Sequence, residues 1–191
     1  VNTRLQVEHP ITEACTGVDL VEWMILTAAG TPPKLDIEIN PKGAAIEVRL
    51  YAEDPVRDFQ PSPGVLTDVH FSESARIDTW VSTGTEVSPY YDPMIAKIIV
   101  YGTDRTDAIN KMKTALNETR AAGIATNLDY LRQIIATDFF GSGDVATNKL
   151  ASFGLQAFNQ RRGVTPLVTL VNLSGHNATI SGNKSDFTSC E

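Results

Sequence analysis

Four side chains near the start of the chain carry chemistry at a regular spacing. Asn2, Arg4, Gln6 and Glu8 set an amide, a guanidinium, a second amide and a carboxylate at every second residue. In a β-strand that period puts all four on one face and turns Leu5 and Val7 the other way. Such a face can hold a small anion. Arg4 offers a rigid fork of donors suited to a pair of oxygens, Gln6 adds a donor, and Glu8 can take a proton from whatever the arginine holds. The same alternation also describes a merely solvated strand face, and pattern alone leaves both readings open.

The elements that must position these residues follow from turn and cap signals. His9-Pro10 should end the first strand, because proline cannot donate to a ladder and restrains the residue before it. A helix is predicted over 18–29, with Asp19 and Glu22 as a capping pair, Val21, Ile25 and Ala28 on its buried face, and Gly30 as its stop. Residues 31–43 read as loop. From Ala44 the period becomes two: Ala44, Ile46, Val48 and Leu50 point one way, Glu47, Arg49 and Tyr51 the other, until Asp54-Pro55 closes the strand. After the turn Pro61-Ser62-Pro63-Gly64 come three strand-like runs, Val65 to Phe71, Ala75 to Val81 and Met94 to Tyr101, close enough in sequence to pair antiparallel.

Between the last two runs, Ser88-Pro89-Tyr90-Tyr91-Asp92-Pro93 is a proline-fixed loop, readable either as a packed corner or as a functional loop presenting Asp92. Helical spacing predicts a helix over 104–122 and another over 127–137. Ala146 to Phe153 follows, and beyond Gln160 the composition shifts to Ser, Asn, Gly and Thr with one β-prone run, Val168 to Leu173. The stretch 154–191 is expected to be weakly ordered. The core should gather Val48, Val65, Ile95, Ile98, Met112, Leu116, Leu131 and Ile134.

Composition narrows the class of function. With 191 residues, 42% hydrophobic and 20% charged, the chain has the make-up of a globular protein. A net charge of −7, with Arg161-Arg162 as the nearest approach to a basic run, argues against nucleic acid. Cys15 and Cys190 read as reduced thiols, and without a leader or an apolar run of spanning length the expected setting is the cytoplasm, with no membrane partner. His9, His70 and His176 are scattered, and Gly141-Ser142-Gly143 is too short to cradle phosphate. The chain opens inside its most chemically loaded segment, so a larger polypeptide is expected.

Taken together, Asn2-Thr3-Arg4-Leu5-Gln6-Val7-Glu8-His9-Pro10, Glu47-Val48-Arg49-Leu50-Tyr51-Ala52-Glu53-Asp54-Pro55, Pro61-Ser62-Pro63-Gly64, Tyr90-Tyr91-Asp92-Pro93-Met94-Ile95-Ala96-Lys97 and Gly123-Ile124-Ala125-Thr126-Asn127 resemble the biotin carboxylase component of biotin-dependent carboxylases. The resemblance covers residues 1–153. Asp58-Phe59-Gln60-Pro61-Ser62, Ala75-Arg76-Ile77-Asp78-Thr79-Trp80-Val81, Gly84-Thr85-Glu86-Val87-Ser88 and Asn127-Leu128-Asp129-Tyr130-Leu131-Arg132-Gln133 are most similar to the urea carboxylase branch, the carboxylase part of urea amidolyase, with acyl-CoA and pyruvate carboxylases as rivals.

The resemblance implies a ligase in which ATP activates bicarbonate as carboxyphosphate, yielding CO2 for capture by biotin. It assigns Arg4, Gln6 and the Val7 N–H to bicarbonate, Glu8 to the general base, and Arg49 to the stabilisation of the biotin enolate. Read from the residues alone, Arg49 would be a strand-face ion-pair partner of Glu47. Asp92 is assigned to a biotin-side loop. Asn2 matches one wall of a site for Mg2+ or Mn2+ beside the ATP phosphates, whose acidic ligand is not among these residues. Lys149 stands where an adenine contact is usually apolar. The implied partners are a biotin carrier domain, an N-terminal ATP-binding region and a second copy in a homodimer. The implied fold is α+β, an antiparallel sheet over 44–101 flanked by helices and preceded by a remnant strand of an ATP-grasp domain. The implied division is 1–30 for that remnant, 31–153 for the biotin carboxylase C-terminal domain and 154–191 for a divergent tail. By themselves the 191 residues are expected to be inactive. The competing reading is a relic or interaction module that keeps the fold without turnover.

Overall fold

The computed structural model describes residues 2–33 and 38–143, together with the backbone of 168–171 and 177–180. Residues 2–8, expected as a strand, are not one: they run through a bend and a turn into helix α1, His9–Thr16. A strand needs a ladder partner for its N–H and C=O groups, and none of the described strands pairs with this segment. Pro10, read as a strand terminator, instead sits in the first turn of α1, where a missing N–H costs nothing and a fixed φ suits the helix. Gly17 closes α1 in the left-handed conformation, φ 73°, its N–H bonded to the Glu13 carbonyl. Helix α2, Leu20–Ala28, starts as predicted, with Asp19 accepting from the Glu22 N–H at 2.8 Å. Its expected buried face is exposed, however, with Val21 at 41% and Ile25 at 64% accessibility. Periodicity gives a helix an apolar side but not a cover, and among the described residues no element seals this one.

Strand β1, Ala44–Tyr51, follows the predicted alternation, with Ile46, Val48 and Leu50 buried. The chain continues through β2 (Glu53–Asp54), a 3-10 turn (Pro55–Arg57), β3 (Gln60–Pro61), β4 (Gly64–Val65), β5 (Asp68–His70), β6 (Arg76–Thr79), β7 (Glu86–Val87) and β8 (Met94–Gly102). All pairings are antiparallel, as expected from the short connections. The antiparallel sheet expected over 44–101 is β1, β8 and β6 in that order, and β2-β3, β4-β7 and β5 with β9 (Arg120–Ala122) are separate two-stranded ribbons. Val65, expected in the core, is 48% exposed because the alternation at β4 turns its neighbour Leu66 inward at 0%.

Helix α3, Arg105–Glu118, is capped by Asp104 and lays Ala108, Met112, Ala115 and Leu116 against β8 and β1. It ends earlier than predicted, since Arg120–Ala122 form strand β9, paired with β5. Arg132, from helix α4 (Leu128–Ile135), caps α3 by donating to the Leu116 carbonyl at 2.8 Å and the Thr119 carbonyl at 2.9 Å. Gly123 leaves β9 at φ 103°, where a Cβ would collide with the Val65 carbonyl oxygen and the Thr67 nitrogen. A short helix α5, Asp138–Ser142, follows.

Of the expected core, Val48, Ile95, Ile98, Met112, Leu116 and Ile134 are buried, and Leu131 packs at the margin. The second unit of the chain contains a hairpin: β10, Val168–Val171, realises the β-prone run and pairs with β11, Asn177–Ile180. Ala146 to Phe153 and Lys149 lie outside the described residues. No helix among the described residues is long and apolar enough to cross a membrane.

Candidate functional site

The register of the three-stranded sheet builds a charged face. Arg49 on β1 lies opposite Lys97 on β8, and Lys97 opposite Asp78 on β6, so the three form one row across the sheet. Strand alternation turns this row away from Val48, Ile98 and Ile77. Two residues along, Glu47 and Arg76 fall on the same face, both opposite Ile99. The α1 segment is gripped by one cation from each strand. Arg49 Nη2 donates to Glu8 Oε2 at 2.8 Å, Lys97 Nζ to the Val7 carbonyl at 3.2 Å, and Arg76 Nη1 to Glu13 Oε2 at 2.8 Å.

The charges beneath this grip are mutually arranged. Lys97 Nζ also pairs with Asp78 at 3.1 Å, and Arg76 reaches the same carboxylate at 3.0 and 3.2 Å. Burial works to raise the Asp78 carboxyl, but hydrogen bonds from Arg76 and Lys97 outweigh it and hold the group below the usual carboxylate range. The bonds to Asp78 and Glu13 likewise push the Arg76 guanidinium further up. Glu47 behaves differently. Burial raises its carboxyl above the ordinary value against the attraction of Lys97, Arg49 and His9, and both its oxygens are buried with no hydrogen-bond partner among the described residues. The ion pair anticipated between Arg49 and Glu47 is therefore not made; Arg49 turns to Glu8.

Not all of the expected site residues gather here. Glu8, Val7 and Arg49 do. Glu8 occupies the N-cap of α1 but makes no capping bond, its carboxylate being committed to Arg49, and both partners stay partly open to solvent at 49% and 38%. Gln6 is fixed through its backbone, its carbonyl accepting from His9 N at 3.2 Å and from His9 Nδ1 at 2.8 Å. The Val7 N–H finds no acceptor among the described residues. Asn2 and Arg4 lie on the exposed lead-in, where Arg4 Nη1 reaches the Leu5 carbonyl at 3.4 Å and the side chain borders a shallow groove with Trp23 and Met24. Asp92 belongs to another hollow, lined by Trp80, Ser88, Tyr91 and Met94, and accepts from the Met94 N–H at 2.8 Å. With Tyr90 and Tyr91 at 89% and 82% exposure, its loop is not a packed corner. Among the described residues no three His, Cys, Asp or Glu side chains cluster to hold a metal. Asn2 alone does not fit Mg2+, which favours carboxylates with substrate phosphates.

Lys97, Asp78, Arg76, His9 and Asn127 hold the arrangement but were not singled out from the sequence. Asn127, 6% exposed, accepts from the Tyr51 N–H at 2.8 Å and donates to the Arg49 carbonyl at 3.1 Å, pinning the end of β1 from the head of α4. The outward period of β1 and β8 marks polar positions such as Lys97, but not which positions meet across strands.

Comparison with known proteins decides the family, because residues 47–152 match the biotin carboxylase C-terminal domain. The chain belongs to that family. Residues 1–36 match the ATP-binding domain of the carbamoyl-phosphate synthase L chain, so the lead-in and first helices go with an ATP-binding domain although the lead-in is not a strand. The urea amidolyase of Saccharomyces cerevisiae is 58% identical over 156 residues, 80% of this chain and 8% of that protein. The crystal structure of Kluyveromyces lactis urea carboxylase, also 58% identical, superposes with a TM-score of 0.78 over 80% of this chain and 14% of that one. The biotin carboxylase domain dimer of Hydrogenobacter thermophilus 2-oxoglutarate carboxylase, in complex with MgADP, ADP and bicarbonate, is 38% identical with a TM-score of 0.76, over 79% of this chain and 34% of that one. The urea carboxylase resemblance read from the motifs is thus matched in sequence and in fold, by a chain that spans a small part of these relatives.

Proposed function

We propose that this chain supplies the bicarbonate- and biotin-facing part of a biotin carboxylase of the urea carboxylase type, acting within a longer cytoplasmic polypeptide whose other residues bind ATP. The carrying observation is the 2.8 Å contact between Glu8 and Arg49, 41 residues apart in sequence and held on one face of the sheet. Arg4, Gln6 and the Val7 N–H, which has no acceptor among the described residues, are the donors for bicarbonate, and Glu8 takes its proton as ATP phosphorylates it. Proton arrival neutralises the partner of Arg49, so the guanidinium is released toward the oxyanion that develops on biotin. Asp92 and its exposed tyrosines would face the biotin carrier domain, and a second copy would complete a homodimer. Asn2 contributes at most one ligand to a magnesium or manganese ion whose carboxylate ligands come from elsewhere. These residues do not select the final acceptor, so urea is favoured over an acyl-CoA or pyruvate by sequence likeness alone.

In the complete carboxylase, Arg49→Ala should depress biotin carboxylation more than bicarbonate-dependent ATP cleavage. Equal losses in the two assays would remove the separate roles given to Arg49 and Glu8. The purified 191-residue chain should show no bicarbonate-dependent ATP cleavage, and cleavage stimulated by free biotin would refute the division of labour.

A further inference from the structure

Two side chains outside the assigned site act on its backbone. In a trans peptide the C=O of one residue and the N–H of the next point in opposite directions, so whatever holds the carbonyl aims the amide. The Gln6 carbonyl is held by His9, through N at 3.2 Å and Nδ1 at 2.8 Å, and that peptide plane carries the Val7 N–H. Since a carbonyl only accepts, His9 must carry a proton on Nδ1. The Val7 carbonyl is held by Lys97 Nζ at 3.2 Å, and that plane leads into Glu8. Lys97 is itself held: its side chain is 11% exposed, and Asp78, 3.1 Å away, is locked in turn by Arg76, which also grips Glu13 of α1. Enclosing an ammonium group carries a desolvation cost, and a methionine of similar length would fill the same space without it. What methionine cannot supply is a donor to the Val7 carbonyl.

We propose that Lys97 and His9 are positioning residues for the anion site: by holding two successive carbonyls they set the peptide planes that aim the Val7 N–H and the Glu8 side chain at bicarbonate. This rests on the reading of Arg4, Gln6 and Val7 as bicarbonate holders. A residue that merely stabilised the fold would affect all substrates alike, whereas these two act on one wall of one subsite.

The test is steady-state kinetics of the complete carboxylase polypeptide carrying Lys97→Met, Lys97→Arg, His9→Phe or Arg4→Ala, with thermal unfolding of each variant. Lys97→Met should raise the KM for bicarbonate about tenfold and leave the KM for ATP within about twofold, a loss on the order of one hydrogen bond to a charged donor. Lys97→Arg, which keeps a cationic donor, should recover most of that loss. His9→Phe, which loses the Nδ1 contact but keeps the backbone N–H bond to the Gln6 carbonyl, should move the bicarbonate KM in the same direction, and it carries the test alone if Lys97→Met does not fold. An unchanged bicarbonate KM in the folded variants, with Arg4→Ala raising it, would overturn the proposal, as would a parallel rise in the ATP KM. If Arg4→Ala also leaves it unchanged, the bicarbonate reading itself falls and the proposal with it.

Discussion

The two faces of the β1-β8-β6 sheet are closed by different physics. Under α3 the closure is apolar: Leu50, Ile98, Met112 and Leu116 are all at 0% exposure, and the face holds through burial and close packing. Under α1 the closure is charged, with Arg49, Lys97 and Arg76 each reaching across to the segment that carries the candidate chemistry. Ion pairs as exposed as Glu8 and Arg49 add little to stability, because water screens them. They fix geometry instead. One face holds the fold together, and the other spends its side chains on the placement of a loop.

This contrast breaks if substitutions on the two faces behave alike. The largest stability effect should come from the apolar face: Leu116→Ala, at a fully buried position, should cost about 2–5 kcal/mol in chemical denaturation. Asn127→Ala comes next. It strips a buried amide from the Tyr51 N–H and the Arg49 carbonyl, and should cost about 1–3 kcal/mol. A loss near zero would mean that β1 keeps its end without the pin. The smallest effect belongs to Glu47, and its sign depends on pH. Burial holds this carboxyl above its ordinary 4.5, so the fold favours the protonated form; its contribution is full at low pH and is lost as pH rises through the raised value. Glu47→Gln should therefore raise the Tm at pH 8 and leave it nearly unchanged at pH 4. A lowered Tm at pH 8 would show that attraction to Lys97 and Arg49 outweighs burial.

The apolar face was legible in the sequence and the charged face was only half so. Period two from Ala44 and helical spacing through Met112 and Leu116 describe surfaces that a single core must bury, and such patterns are local. The end of α3 was not legible, because Arg120–Ala122 take their conformation from β5, far earlier in the chain, and no local signal announces that pairing. The lead-in failed for a related reason: Pro10 can close a strand or open a helix, and the choice depends on whether a ladder partner exists. Within the site, residue types and family likeness pointed to Glu8 and Arg49. Their contact, and the parts played by Lys97, Asp78 and Asn127, depend on cross-strand register and on the head of α4, which one sequence read locally does not display.

The most direct measurement is a paired one on Glu8→Gln in the complete carboxylase, recording unfolding free energy and bicarbonate-dependent ATP cleavage together. The charged face should lose its chemistry and keep its fold, with cleavage down at least about a hundredfold, ATP binding intact and a stability change of about 1 kcal/mol or less. Retained cleavage, or a stability loss as large as that of Leu116→Ala, would contradict it.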